Sequence, residues 1–453
     1  MLSDKRRRVS LLSRCDSVRF SSSSVYRLSE PIADLLIEVL GHITTLQCLR
    51  FLAIEHLMRS SPRILPAFAA LSGIYHLEID TGGELGQFSY AKLLKTMCAP
   101  LKTVRVSLPP GSGGKGLQRV GYNRNLDPLW LFSSFSSTLE SMFLTGRFTV
   151  EGCSTIHVYP CLTHLTLPRH CMPLVRPYIN AFPSLRSLHF DNSSVLWATD
   201  FMPTHSLSTD VLRGKSSEEL RRHNREDQFA RGSWFALEDL MAMTLDAYTV
   251  GLTCRIPSLH LIAWGGTLEG EVAAICDIYT DARPTLFRLA LRPPHIDYIA
   301  ALFSQRVETF SSLSSLELRL DVTEVPFDFK TYLDDVGTAL QQLPIVSLQV
   351  EIRCFALFAS RPADHPKPLW CDSPSEAGAS CYTLDALSGE DMEGRVRYFM
   401  RKIRTLRRAT VAWGRCLVTL PHRLITVDLD NLPHTVDRPG RVADKYWKDM
   451  LPY

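Results

Sequence analysis

The side chains best suited to metal chemistry occur in one stretch of the sequence, where cysteines alternate with histidines: Cys153, His157, Cys161, His164, His170 and Cys171. Structural zinc needs four converging thiolate or imidazole ligands, usually arranged as close pairs. Only Cys161 and His164 form such a pair. We therefore predict no metal site, and we interpret these residues as scattered core thiols and surface histidines, with zinc as the alternative.

Two other segments suggest chemistry without meeting its requirements. The glycine run 111–116 resembles a phosphate-binding loop, but Gly116 stands where Ser or Thr is needed to hold magnesium, so we expect a flexible loop. Cys371 and Cys381 could form a disulfide under oxidation, whereas a reducing compartment would leave two free thiols. A metal-dependent or hydrolytic enzyme is the weakest hypothesis, and we predict no enzyme, no catalytic residue and no cofactor.

Composition and charge narrow the classes of protein further. The chain has 453 residues, of which 45% are hydrophobic and 21% charged, as in ordinary folded proteins. Its 50 Lys and Arg against 47 Asp and Glu give a net charge of +3, too small to argue for nucleic-acid binding. No apolar run approaches the ~20 residues of a membrane helix, so we expect no membrane partner.

The cysteines and the amino terminus point to a compartment. The 12 cysteines are scattered singly, and the basic amino terminus lacks the continuous apolar segment of a signal peptide. We therefore predict a cytoplasmic or nuclear protein with reduced thiols. Residues 5–8, all basic, could form a nuclear import patch, although solvated surface charge is the simpler interpretation.

A repeated pattern indicates which elements position the surface side chains. Apolar residues stand at positions 1, 4 and 6 of six-residue windows, and several windows start 22 to 27 residues apart. The clearest windows are LTHLTL from Leu162, LRSLHF from Leu185, LFRLAL from Leu286 and LSSLEL from Leu313. Weaker windows start at Leu49, Ile74, Leu101, Leu139, Leu259, Ile345 and Leu424. This spacing lies in the range of leucine-rich repeats.

The pattern within one window predicts a short strand. Residues 4 and 6 would face the core, and residues 3 and 5 would face the other side. Between the windows lie amphipathic segments, such as 296–307, that are typical of helices. A strand and a helix in about 25 residues cannot bury their own apolar faces, but stacked copies can. We therefore predict an α/β solenoid with parallel strands on the concave face and helices on the convex face.

These windows resemble those of irregular leucine-rich-repeat proteins, specifically the divergent F-box/LRR-like proteins of fungi. The resemblance covers roughly residues 10–430. It departs from the family at position 9, where many repeats place Asn or Cys and this chain has His170 and Asp321. The resemblance implies a substrate receptor of a ubiquitin ligase, which would bind a cullin-ligase adaptor through its F-box.

The F-box pattern itself is degenerate or missing. The nearest match is the segment 31–40, PIADLLIEVL, in which Asp34, Leu35 and Leu36 fit the family pattern. One residue is inserted after the proline, and the downstream tryptophan element is absent. The alternative interpretation is that this segment is the helix of an ordinary repeat.

Two breaks and a tail interrupt the predicted array. Residues 192–233 include a charge-dense segment with few large apolar residues, which should be an exposed helix or a disordered insertion. Residues 361–380 are rich in Pro, Ser and Ala and should form a loop. We assign residues 1–430 to the array and residues 431–453 to a C-terminal cap or tail.

The concave face is the predicted binding surface. Mixed charge with an occasional aromatic side chain suits protein recognition. The predicted contact residues are His76, Glu78, Arg105, Phe143, His164, His189, Arg288, Glu317, Arg319, Gln349 and Arg408. We expect a monomeric protein-interaction module, either the substrate-recognition part of a ubiquitin ligase or a structural or regulatory scaffold with no such role.

Overall fold

A computed structural model gives the fold of the protein. Two compact units divide the chain, residues 1–237 and residues 238–453. The structure describes residues 17–21, 29–43, 45–52, 57, 61–80, 87–107, 128–145, 157–168, 174–191, 216–264, 268–292, 296–323, 329–355, 392–415, 423–428 and 438–439.

The described residues of the first unit contain seven short strands that pair in parallel between neighbours in chain order. The strands are β1 (Ser17–Ser21), β2 (Cys48–Leu52), β3 (His76–Asp80), β4 (Thr103–Ser107), β5 (Ser141–Thr145), β6 (His164–Pro168) and β7 (Ser187–Asp191). Its described helices are α1 (Glu30–His42), α2 (Ile64–Ala69), α3 (Gln87–Thr96), α4 (Pro128–Leu131), α5 (Arg176–Ala181) and α6 (Ser217–Arg231). A 3₁₀ turn covers Ser133–Phe135.

The second unit repeats the alternation of strands and helices. Its strands are β8 (Asp239–Met243), β9 (Ser258–Trp264), β10 (Leu286–Arg292), β11 (Ser315–Thr323), β12 (Ser347–Phe355), β13 (Arg408–Arg415), β14 (Arg423–Asp428) and β15 (Arg438–Pro439). Its described helices are α7 (Thr244–Val250), α8 (Leu268–Ala282), α9 (Ile296–Ile299), α10 (Phe329–Leu340) and α11 (Met392–Lys402), with a π turn at Ala300–Ser304 and a 3₁₀ turn at Val307–Phe310. The predicted α/β architecture with mostly parallel strands is confirmed.

The last two strands differ from the predicted parallel array. β8 to β13 pair in parallel, but β14 pairs antiparallel with β13, and β15 antiparallel with β14. Only residues 416–422 separate β13 from β14. A parallel return needs a crossover of a dozen or more residues, so this short connection forces the strand at Leu424 to reverse direction.

The apolar core follows the predicted alternation in most windows. In β3, Leu77 and Ile79 are buried while His76 and Asp80 are exposed. The same pattern holds around Leu165, Leu188, Leu316 and Leu348, all of which are buried. Strand side chains at positions 4 and 6 therefore form the core of each unit.

In three windows the residues that the structure buries are not those that the sequence pattern predicts. At β2 the buried residues are Leu49, Phe51 and the preceding Leu46, so the repeat begins at Leu46 instead of Leu49. In β9 it begins at the buried Ile256 instead of Leu259. In β10 the first position belongs to Pro284, and Leu286 lies half-buried in register with Ser258 and Ser315.

Hydrogen bonds to a shared backbone carbonyl hold the start of many strands in place. The backbone carbonyl at position 2 accepts hydrogen bonds from two consecutive amides of the next repeat. The carbonyl of Tyr75, for example, accepts from the amides of Lys102 and Thr103 at 2.9 and 3.0 Å. The carbonyls of Thr163, Pro257 and Val346 do the same. This recurring bond sets the register of each parallel pair independently of the side chain at position 2.

Hydroxyl groups add to these entry bonds. The hydroxyl of Thr163 donates to the carbonyl of Glu140, that of Thr285 to Pro257, and that of Ser314 to Thr285, at 3.0 to 3.2 Å. Short Ser and Thr side chains can satisfy nearby backbone carbonyls in this way. They supply extra bonds to the repeat connections in a chain whose position 9 lacks asparagine.

Within the predicted insertion 192–233, residues 216–233 are described, and residues 217–231 form the ordered helix α6. A reciprocal capping box starts it: the Ser216 hydroxyl accepts from the Glu219 amide, and the Glu219 carboxylate accepts from the Ser216 amide. Gly232, with φ of 87°, ends it. The remainder of that insertion, the whole of 361–380, and the tail 431–453 apart from β15 lie outside the described residues.

Polar contacts hold α6 against α5, which explains why its sequence gives no amphipathic signal. The carboxamide oxygen of Asn224 accepts from the amide of Val175 at 3.1 Å. Arg176 pairs with Asp227 and donates to the carbonyl of Gly232 at 3.0 Å. Asn224 and Gln228 are buried with Leu220. A helix can thus dock through buried hydrogen-bonded groups instead of an apolar stripe.

Candidate protein-binding surface

The side chains at positions 3, 5 and 7 of the strands form one side of the sheet in each unit, which we call the polar face. In-register pairing lines up equivalent positions on neighbouring strands. In the first unit, position 5 runs through Arg50, Glu78, Arg105, Phe143, Thr166 and His189. Adjacent strands lie about 4.8 Å apart, so these side chains are close neighbours across the sheet.

The polar face of the first unit is accessible at positions 3 and 5. His76, Arg105 and His164 are exposed, and Glu78, Phe143 and His189 are half-buried. All six predicted contact residues of this unit therefore reach solvent on one side of the sheet. That they bind a partner stays a prediction.

Two local contacts order the charged groups of this face. The Arg50 guanidinium lies 3.2 Å from the Glu78 carboxylate, and hydrogen bonding to Cys48, followed by the charge of Glu78, raises the pKa of Arg50. The Arg105 guanidinium lies over the ring of Phe143, 5.7 Å from its centroid. Glu78 is in register with both arginines, and its ion pair is with Arg50.

Two histidines of this face form hydrogen bonds with hydroxyl groups close to them in the sequence. The Nε2 atom of His189 lies 3.0 Å from the hydroxyl of Ser187, and the Nδ1 atom of His164 lies 2.8 Å from the hydroxyl of Thr163. These bonds orient the two imidazole rings on the accessible side of β6 and β7.

The polar face of the second unit is mostly buried or half-buried. Arg288 bonds Glu317 at 2.6 Å and also lies 3.3 Å from the hydroxyl of Ser258. Arg319 is only 8% exposed and Glu351, in register with it, only 3%. Arg319 is therefore not available to an external partner, unlike the exposed side chain that its position in the strand predicts. Its charge is instead part of the internal structure of the unit.

The other predicted residues of the second unit differ in exposure. Gln349 and Glu317 are half-buried, and Arg408 is exposed on β13. His260, at position 5 of β9, is buried, and the sequence pattern did not single it out. Arg288 and Glu317 form a largely buried ion pair, which costs desolvation and contributes mainly when both partners are satisfied, so we assign this pair a structural role.

Helix α1 carries a separate accessible apolar face. It lies between β1 and β2, which pair in parallel, so it occupies the place of a repeat helix. Ala33 and Leu40 are buried, whereas Ile32 and Leu35 are 54% and 50% exposed. Arg63 pairs with Asp34 on the exposed side of the helix. Leu36, the second leucine of the F-box-like segment, is half-buried.

The other chemical candidates receive no support from the described part of the chain. His157, Cys161 and His164 are described, and no group of three His, Cys, Asp or Glu residues there could hold a metal ion. Cys153, His170, Cys171, the glycine run 111–116, Cys371 and Cys381 lie outside the described residues. None of the helices within those residues is long and apolar enough to cross a membrane.

No family model matches the chain, and no curated protein matches it.

Proposed function

We propose that this protein is an interaction module, an irregular leucine-rich-repeat solenoid that binds another protein on its polar face. The observation that supports it is the accessible, in-register polar face of the first unit, where charged, hydroxyl and aromatic side chains are held on a rigid sheet. Arg and aromatic side chains contribute most of the energy in many protein interfaces, and Arg105 and Phe143 supply both. We place the protein in the cytoplasm or nucleus.

A photo-crosslinking residue at Thr166, in the middle of this face, tests the proposal. We expect the intact chain from cells to form discrete crosslinked products with another protein. The control carries the same residue at Arg222, an exposed position on α6. Identical products from both positions, or none from Thr166, would contradict binding on the polar face.

A second candidate function is that of a ubiquitin-ligase substrate receptor, and the exposed apolar face of α1 favours it. Ile32 and Leu35 are large apolar side chains left in solvent, as expected of a docking helix. The competing hypothesis is a structural or regulatory scaffold with no ubiquitin-ligase role, in which α1 is only a repeat helix.

Changing both Ile32 and Leu35 to Asp separates these two hypotheses. If α1 docks the cullin-ligase adaptor, the purified adaptor subunit should bind the intact chain and lose at least tenfold in affinity for the double variant. Both side chains are half exposed, so the fold should survive, which circular dichroism can verify. Absence of adaptor binding to the intact chain would eliminate the receptor hypothesis.

A further inference from the structure

One part of the polar face of the first unit contains basic side chains and no acidic side chain at positions 3 and 5. Positions 3 and 5 of β4 to β7, which we call the basic patch, comprise Thr103, Arg105, Ser141, Phe143, His164, Thr166, Ser187 and His189. None of these eight residues is acidic, one is a permanent cation and two are imidazoles. Four carry hydroxyl groups, which can donate hydrogen bonds to an anion.

The neighbouring strand β3 does not supply a carboxylate that compensates the charge of Arg105. Glu78 of β3 is the neighbouring carboxylate in register with Arg105, but its ion pair is with Arg50. Arg105 forms no ion pair with any described residue, and its guanidinium lies over Phe143. Asp191 ends β7 at position 7, in register with Pro168, outside the two rows of the patch.

The alignment of the patch fits an extended ligand that crosses the strands. Its four strands span about 14 Å, which an extended segment of four or five residues covers. The Arg105 side chain, already ordered against an aromatic ring, would lose little freedom on pairing with a carboxylate. The hydroxyls of Thr103, Ser141 and Thr166, which lie on both rows, can donate to further acceptor oxygens.

We infer that the basic patch binds an extended acidic segment of a partner protein, rich in Asp or Glu, with Arg105 as its principal anchor. This inference rests on the proposed function and adds the chemical class of the partner. Charge complementarity is the argument for this occupant, because opposite potentials both steer association and exclude unsuitable partners.

The direct test uses a fluorescent peptide of about twelve residues, in which Glu alternates with Gly around a central Tyr, with its length chosen to exceed the span of the patch. Fluorescence anisotropy with the full chain should show affinity at least tenfold higher than for the Gln counterpart. The affinity should fall as salt is raised, since exposed charges are screened. Equal binding of the two peptides, or no binding of either, would overturn the inference.

Charge reversal locates the site. Arg105→Glu should weaken binding of the Glu peptide about tenfold, whereas Arg222→Glu, which reverses another exposed charge on α6, should leave it unchanged. Equal effects of the two variants would indicate nonspecific attraction and overturn the assignment to the patch.

A third peptide, with phosphoserine in place of Glu, tests which acidic group the patch binds. Binding of that peptide alone would overturn the inference that the ligand is rich in Asp or Glu.

The outcomes also separate this inference from the proposed function. Crosslinking at Thr166 together with failure of the acidic peptide would leave the interaction module intact and refute only the acidic partner. Failure of both experiments would refute both.

Discussion

Replacing Phe310 by Ala should lower the free energy of unfolding by about 3–5 kcal/mol, the range found when a buried aromatic ring is deleted. Phe310 is fully buried. Its ring centroid lies 4.5 Å from that of Tyr279, 5.1 Å from that of Phe303 and 6.2 Å from that of Phe287. Deletion of this ring leaves a cavity bordered by three other rings, which cannot all move to fill it.

Denaturant titration measures the loss, and hydrogen exchange should locate it in the second unit. Phe235→Ala is the matched control, because this ring in the first unit is fully exposed and its removal should change stability by less than about 0.5 kcal/mol. Similar losses for the two variants would mean that the cluster around Phe310 is not the core of its unit.

The second large effect is expected where α10 meets α11. A Cβ atom at Gly337 would lie 2.7 Å from Cε1 of Tyr398 and 3.4 Å from the ring of Phe399. Helix α11 cannot simply move away, because Arg395 bonds Asp334 at 2.7 Å and the Tyr398 hydroxyl donates to the Asp334 carbonyl at 3.2 Å. Gly337→Ala should therefore destabilise the protein by about 1–3 kcal/mol, the usual cost of overpacking.

Gly41 in α1 provides the control for this prediction. A Cβ atom added at Gly41 would meet nothing within 4 Å, so Gly41→Ala should gain up to about 1 kcal/mol from helix propensity. Thermal unfolding should shift in opposite directions for the two variants. In a Tyr398→Ala background the steric cost at Gly337 should disappear. Stabilisation by Gly337→Ala in the native sequence would contradict the close approach of the two helices.

The sequence predicts the parallel strands well where polar residues separate the apolar residues at the buried positions. Leu162, Leu165 and Leu167 define their frame without ambiguity, and all three are buried. The windows at Leu49 and Leu286 fail because adjacent apolar residues allow two frames. Phe287 directly follows Leu286, and only the pairing of β10 with its neighbours decides which of the two is buried.

Long-range polar contacts account for the other differences. The α6 segment has a charge-dense sequence, yet Asn224 and Asp227 meet partners about 50 residues earlier in the chain. The burial of Arg319 similarly depends on the surroundings of β11 in the folded unit. Alternation within a strand predicts which side a residue faces, but not whether that side is accessible to solvent.

The shared carbonyl at position 2 has a practical consequence for experiments. Because a main-chain carbonyl bonds two amides at the start of the next strand, the residues that supply this carbonyl, such as Gln47, Tyr75 and Lys102, differ in size and charge. Spectroscopic labels placed at such sites on adjacent strands would be separated by steps of about 4.8 Å, the distance between the strands. A change in the spacing between two labels would report any flexing of the first unit when a ligand is added.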